Sequence, residues 1–257
     1  MLIDVLSRGW RLLATALSFA SFGLGGLVLR LVLFPVVRLL ARDVETRMRW
    51  SRGLVRGSFR LFVRMMRALG VLSYELRGVE RLDRRGLLIL ANHPSLIDVA
   101  FLMAFVRNAD CVVKDALWRN PFTRGPVEAA GFVSNRTGPE LVDACVASVR
   151  GGSNLIIFPE GTRTKPDTPL VFQRGAANVA VRGGLDVTPV VIRCRPTTLT
   201  KGEPWWAVPA RRPHFTFEVG CDIPVAPYVQ ETAPSAAARE LTRNLQSHFS
   251  LELSRHG

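Results

Sequence analysis

The chain has 257 residues, 34 Lys and Arg against 21 Asp and Glu, a formal net charge of +13 and a mean hydropathy of +0.18. With 48% hydrophobic residues it can bury ample apolar surface against its conformational entropy, which excludes disorder, and its length fits one domain of roughly 200 residues with an N-terminal appendage. The positive balance asks for an anionic partner: nucleic acid, an anionic bilayer or a phosphorylated small molecule.

The appendage comes first. Leu12 to Leu29 is an uncharged run of 18 residues, interrupted by Arg30 and continued by LVLFPVV to Val37. That just meets the length needed to cross the hydrocarbon of a bilayer. Gly23, Gly25, Gly26 and Pro35 count against one straight span, so a re-entrant hairpin in one leaflet fits as well. A cleaved signal peptide fits less well, because no small-x-small site follows and an Arg-dense segment does.

Arg42 to Arg67 carries eight Arg and two acids. Arg49, Arg52, Arg56, Arg60, Arg64 and Arg67 step by three or four, which predicts one basic helix face, with Trp50, Leu54, Leu61, Met65 and Leu69 opposite. Beside an apolar anchor this stripe is expected to meet lipid phosphates, at about 1 kcal/mol per basic residue, with the following chain on the cytoplasmic side. A solvated face packed on the domain is the plainer alternative.

From about residue 70 the pattern changes. Leu87–Ala91, Cys111–Val113, Gly131–Ser134, Asn154–Phe158, Val187–Ile192 and Phe215–Val219 read as strands. Pro139–Val149 and Gly175–Val181 read as helices, and a C-terminal helix with Leu241, Leu245 and Phe249 at i+4 could be capped by Ser235. The turn-rich stretch Pro196–Pro213 sets Trp205-Trp206 near Arg211-Arg212, either an ordinary surface loop or an interfacial contact. Alternating strands and helices predict an α/β sandwich with a sheet covered on both faces. Cys111, Cys145, Cys194 and Cys221 follow no CxxC or Cys/His spacing, so buried thiols in a reducing compartment are expected rather than a zinc ribbon or a disulfide scaffold.

Two polar segments follow strands directly. Asn92-His93-Pro94-Ser95-Leu96-Ile97-Asp98 follows LLIL, with Pro94 suited to open a helix and Asp98 about one turn on. A carboxylate on one imidazole nitrogen leaves the other with a free lone pair, the arrangement a general base needs. A His–Asp contact that merely caps a helix is the plainer reading. The other segment is Phe158-Pro159-Glu160-Gly161-Thr162-Arg163 after NLIIF, a Pro/Gly turn with a dense polar cluster. Between them lie Lys114 and Gly131-Phe132-Val133-Ser134-Asn135-Arg136. A Lys and an Arg at successive strand ends would suit a phosphate, or be surface charges.

NHPSLID at 92–98 and FPEGTR at 158–163 resemble the NH-x4-D and FPEGT-R motifs of the glycerolipid acyltransferase family, which includes the 1-acyl-glycerol-3-phosphate acyltransferases. The run Lys114…Pro121…Gly125 to Arg136 is similar to the family's second block, Thr188-Pro189-Val190 to its fourth, and Gln173-Arg174-Gly175-Ala176 to the helix start after the third. The resemblance implies an acyltransferase-type α/β sandwich with a membrane-associated N-terminal segment: residues 1–41 an anchor, 42–69 a basic amphipathic helix and 70–257 the catalytic domain. It implies His93 as the base on the acceptor hydroxyl, Asp98 as its support and Lys114 near the developing oxyanion. Asn92, Arg136, Glu160, Gly161, Thr162 and Arg163 would bind the acceptor, with no acyl-enzyme. The implied partners are a lysophospholipid acceptor, an acyl-CoA or acyl carrier protein donor and an anionic membrane, on the cytoplasmic face of the inner membrane. No metal, other cofactor or nucleic acid is expected. Ser134-Asn135 before Arg136 and Lys165-Pro166 after the third motif depart from the family pattern. They leave the acceptor open to another lyso-phospholipid, a lyso-ornithine lipid or an aryl-polyene lipid intermediate. A non-catalytic membrane-binding module would leave both polar motifs unexplained.

Overall fold

The structure is a computed structural model that describes residues 2–113, 124–134, 139–229 and 233–255. The chain opens with α1 (Leu2–Val28), a five-residue π-helical turn (Leu29–Leu33) and α2 (Phe34–Leu40), which run on as one rod. The three glycines do not break it. Pro35, which has no N–H to give, follows the π turn, where Phe34 N donates five residues back to Leu29 O. After a short turn, α3 (Val44–Ala68) runs back along the rod, its first turn closed by Asp43, whose carboxylate accepts from Thr46 N at 2.7 Å.

The rod lies against the rest of the chain along its length. Trp10 Nε1 donates to Leu69 O, Phe22 packs on Phe59 and Phe62, and Phe34 and Val37 are buried. Buried Arg11 donates to Ser7 Oγ and to the carbonyls of Pro209 and Ala210, with Ala14, Thr15 and Ser18 below it on the same face. The outward face is apolar. Leu13, Leu17, Leu24, Val28 and Leu31 step by three, four or seven along it, and Leu24 is 64% exposed. By length and composition Ser7–Leu40 could cross a membrane.

A seven-stranded sheet follows, in the order β1-β7-β6-β2-β5-β3-β4. Its strands are β1 (Ser73–Arg77), β2 (Leu88–Ala91), β3 (Ala109–Val113), β4 (Val133–Ser134), β5 (Asn154–Ile157), β6 (Val187–Arg195) and β7 (His214–Val219). All pairings are parallel except β6 with β7. The six expected strands are present within a few residues. β1 was not expected: in Ser-Tyr-Glu-Leu-Arg two charges interrupt the apolar pattern, as an edge strand with one open face allows.

Two cores sandwich the sheet. Ile89, Ala91, Ile156, Val190 and Ile192 point to the side holding the N-terminal helices and α4 (Asp98–Phe105), with α5 (Arg124–Ala130) beyond them. Leu88, Leu90, Leu155 and Val191 point to the side holding α6 (Pro139–Arg150), α7 (Gly175–Gly183) and the C-terminal helix α9 (Pro234–Ser254), which a short α8 (Ala226–Val229) precedes. Every residue of β2 is at 0% exposure, as a central strand covered on both faces requires. The sequence-based expectation for Ser235 fails: Ala233 occupies the cap position and Pro234 the first helical position, where its missing N–H costs nothing. Cys111, Cys145 and Cys194 are buried as expected, and burial pushes the Cys111 and Cys145 thiols up to about 12. Cys221 is exposed, on the loop after β7.

The arginine stripe of α3 is also corrected. Arg52 is buried, donating to Ala130 O, Asn108 Oδ1 and Ser153 Oγ and pairing with the Asp110 carboxylate at 3.2 Å. Arg56 is half-buried and donates to Phe105 O. The buried face is Ser51, Arg52, Val55, Phe62, Val63 and Met66, while Leu61, set on the side opposite the arginines, is 70% exposed. Helical spacing alone does not say which face a core will take.

Candidate active site

Strands β2, β5 and β6 run parallel at the centre of the sheet, so the segments leaving β2 and β5 meet at one edge, where open α/β sheets present reactive groups. His93 stands two residues past the end of β2. Its Nδ1 lies 2.9 Å from Asp98 Oδ2, and the same oxygen accepts from Ser95 N at 2.7 Å. Asp98 is wholly buried, while the imidazole keeps 13% of its surface exposed. With Nδ1 facing a carboxylate, Nδ1 carries the proton and Nε2 the free lone pair. Pro94 does not open a helix as the sequence suggested. Ser95 N goes to Asp98 and Leu96 N to Leu199 O, which holds 94–97 in a turn, and α4 begins at Asp98 itself.

The segment after β5 wraps this turn. The Phe158 ring stacks on the imidazole, centroids 4.1 Å apart and 25° from parallel. Glu160 is buried, and its Oε1 accepts from His93 N at 2.8 Å and from Thr164 Oγ1 at 3.3 Å. Thr164 N returns a bond to His93 O. Gly161 takes the turn at φ +68°, a conformation that favours glycine. Arg163 is half-buried and gives one guanidinium nitrogen to Leu199 O and Thr200 O, while its charge reaches Asp98. Thr162 is half-buried beside it.

Two buried carboxylates therefore hold one histidine, one by the ring and one by the backbone. Loss of water raises the Asp98 carboxyl, with the His93 contact opposing the shift, and raises Glu160 likewise. Asp98 Oδ1 and Glu160 Oε2 are both buried without a hydrogen-bond partner among the described residues. A charge there is costly to hold, and it is offset best when the imidazole is protonated.

Of the sequence-predicted site residues, the fold brings together His93, Asp98, Glu160, Gly161, Thr162 and Arg163. Asn92 is adjacent but turned away: its amide donates to Ile192 O and accepts from Ile192 N, tying β2 to β6. It thus braces the strand end where an acceptor contact was expected. Glu160 likewise faces the His93 backbone. Lys114 and Arg136 lie outside the described residues. Three contributors were not read from the sequence: the Phe158 ring, Ser95, and the start of the loop after β6. Thr198 and Leu199 are buried there, and Thr198 O accepts from Ser95 Oγ. Only their buried backbone carbonyls act, and these leave no mark in a sequence.

Comparison with known proteins agrees with this geometry. A family model described as Acyltransferase matches residues 73–193, which contain the His93 turn and the Glu160 turn. A 1-acyl-sn-glycerol-3-phosphate acyltransferase of Pseudomonas aeruginosa is 29% identical over 148 residues, covering 54% of this chain and 56% of the relative. One from Saccharomyces cerevisiae is 29% identical over 143 residues, 52% of this chain and 47% of the relative. The chain thus spans about half the length of the curated relatives it matches. The fold is similar to the crystal structure of the 1-acyl-sn-glycerophosphate (LPA) acyltransferase from Thermotoga maritima, with TM-score 0.68 at 21% identity over 95% of this chain and 98% of that one. Residues 73–193, which hold His93, Asp98 and Glu160, thus match the acyltransferase family.

Proposed function

We propose that the protein transfers the acyl group of a thioester, carried by CoA or acyl carrier protein, to the free hydroxyl of 1-acyl-glycerol-3-phosphate, giving phosphatidic acid. The observation that carries this is the His93–Asp98 couple, with a fully buried carboxylate on Nδ1 and a partly open ring at the sheet edge. Acyl-glycerol-phosphate acceptors are also what the named relatives act on.

In this reading His93 Nε2 takes the proton of the acceptor hydroxyl as its oxygen attacks the thioester carbonyl. The imidazolium that forms is stabilised by Asp98, whose buried charge finds its best partner at that moment. The tetrahedral intermediate then expels the thiolate, the C–S bond breaks, and the imidazolium returns its proton to sulfur. No covalent acyl-enzyme is needed, because the acceptor is its own nucleophile. Arg163, with guanidinium nitrogens beyond the one held by the loop carbonyls, is suited to the acceptor's phosphate. Lys114 and Arg136 are proposed to add positive charge at the oxyanion and the phosphate. No other cofactor is invoked.

The apolar outward face of α1 and α2, continued by Trp50 and Leu61 of α3, supports anchoring in the cytoplasmic leaflet of the inner membrane. Half a dozen exposed leucines at about 1.5–3 kcal/mol each supply on the order of 10 kcal/mol once immersed. Because the rod contacts the domain from Trp10 to Val37, it is better suited to lie in one leaflet than to stand across the bilayer.

The test is a reconstituted assay with one labelled acyl thioester and a panel of acceptors: 1-acyl-glycerol-3-phosphate, other lyso-phospholipids and a lyso-ornithine lipid. The proposal expects 1-acyl-glycerol-3-phosphate to give the largest kcat/KM. A larger value for another acceptor would reassign the substrate, and absence of turnover with every one would leave a membrane-binding module.

A further inference from the structure

On the sheet face opposite the N-terminal helices, a groove of about 570 Å³ lies between the start of α7 and α9. Arg174, Arg239 and Arg243 line it, with Phe172, Gln246 and a single acid, Glu240. The three arginines are exposed, and none has an ion pair among the described residues. Arg239 and Arg243 sit at i and i+4 on α9, a like-charge placement that weakens an isolated helix. No role in the fold accounts for the three charges.

The groove borders the segment that packs on the 158–163 turn. Gln173, next to Arg174, donates from its backbone to Pro159 O at 2.8 Å, and a Cβ on Gly161 would come within 3.8 Å of the Gln173 side chain. The groove therefore begins immediately behind the turn that holds His93. It also lies on the sheet face opposite the one that carries the apolar N-terminal helices.

We propose that this groove binds the nucleotide phosphates of an acyl-CoA donor, whose pantetheine arm then passes the 158–163 turn to bring the thioester to His93. The inference rests on the acyl-transfer reading and deepens it by assigning the donor. A concavity of this size falls within the range of small-ligand sites. Three guanidiniums suit a cluster of phosphates, and the Glu240 carboxylate can accept from ribose hydroxyls or an adenine amino group. A carrier protein docking through an acidic helix would instead need a broad basic face without a carboxylate among its arginines.

The direct test is calorimetric titration of the full-length protein in lipid nanodiscs with coenzyme A, and with pantetheine 4′-phosphate as a probe lacking the nucleotide. We expect Arg239→Ala/Arg243→Ala to raise the coenzyme A Kd by at least tenfold, and Arg239→Lys/Arg243→Lys to recover most of it. The wild type should favour coenzyme A over pantetheine 4′-phosphate by a similar factor, and the alanine pair should lose that preference. In turnover, the KM for acyl-CoA should rise in the alanine pair, while that for the acyl carrier protein thioester does not. Equal coenzyme A affinity in wild type and variants would overturn the proposal, as would failure of the wild type to bind coenzyme A. So would a KM increase confined to the carrier-protein donor. Binding is read without turnover, so coenzyme A bound by an inactive wild type would count against the acyl-transfer reading while leaving the groove in place.

Discussion

At the scale of single residues, Asp98 and Glu160 surround one histidine with two buried carboxyls, and burial raises both. An acid with a raised folded-state value contributes stability that is fully present below its unfolded value, near ~4, and lost as pH rises through the folded value. Ionising either buried group therefore costs the fold stability. Asp98→Asn should remove that cost, leaving the Tm equal or higher, while kcat falls by about 10²–10⁴-fold because the imidazole loses its tautomer and its counter-charge. Thermal denaturation paired with turnover checks both halves. Glu160→Gln keeps the acceptor for His93 N and is expected to retain most activity. Glu160→Ala leaves that N–H unpaired in a buried turn, costing about 1–3 kcal/mol and a large part of kcat. Equal loss in both variants would give Glu160 a role other than holding the turn. The His93–Asp98 contact was legible in the sequence because the strand end and the five-residue spacing bring ring and carboxylate together. Glu160 and Asn92 are expected from the sequence to bind the acceptor, whereas the structure gives their side chains backbone partners, which a polar side chain does not announce.

At the scale of elements, α3 shows why periodicity settles a helix and not its orientation. The six arginines do share a spacing, yet Arg52 is the residue that fixes α3 to the sheet, through Asp110, Ser153 and the Ala130 carbonyl. Burial raises the Asp110 carboxyl, with Arg52 opposing the shift. Arg52→Ala would strand a buried charge and should destabilise the protein by about 3–5 kcal/mol, read by denaturant unfolding. The same experiment on exposed Arg49 or Arg64 should show less than about 0.5 kcal/mol. Those two are instead expected to weaken partition onto anionic vesicles several-fold when changed to Gln, at about 1 kcal/mol for each charge. β1 escaped notice for a related reason: with Glu75 and Arg77 on its exposed positions it has half a hydrophobic pattern, and only its pairing with β7 makes it a strand. The central strands were readable because burial on both faces demands uninterrupted apolar runs.

At the scale of the whole molecule, the sheet separates two surroundings. One face carries the helices whose outward leucines suit hydrocarbon, the other carries water-facing helices, and His93 stands at the edge where they meet. The sequence contained the apolar run, the alternation and the order of the motifs, so the sandwich and the site could be anticipated. It did not contain the lateral packing of α1, which depends on Arg11 reaching carbonyls 198 and 199 residues away. If the exposed leucines anchor the protein, changing Leu13, Leu17 and Leu24 together to Gln should move it to the soluble fraction without lowering its Tm by more than a few degrees. Retention in the membrane fraction would place the anchor elsewhere.

One proton transfer, from the acceptor hydroxyl to His93, carries the proposed chemistry. The measurement that addresses it most directly is phosphatidic acid formation from 1-acyl-glycerol-3-phosphate and a labelled acyl thioester by vesicle-bound wild type and His93→Gln, followed by mass spectrometry. We predict product from the wild type and a rate at least ~100-fold lower from the variant, with folding and vesicle binding unchanged. A His93→Gln rate within a few-fold of wild type would contradict the assignment of His93 as the base.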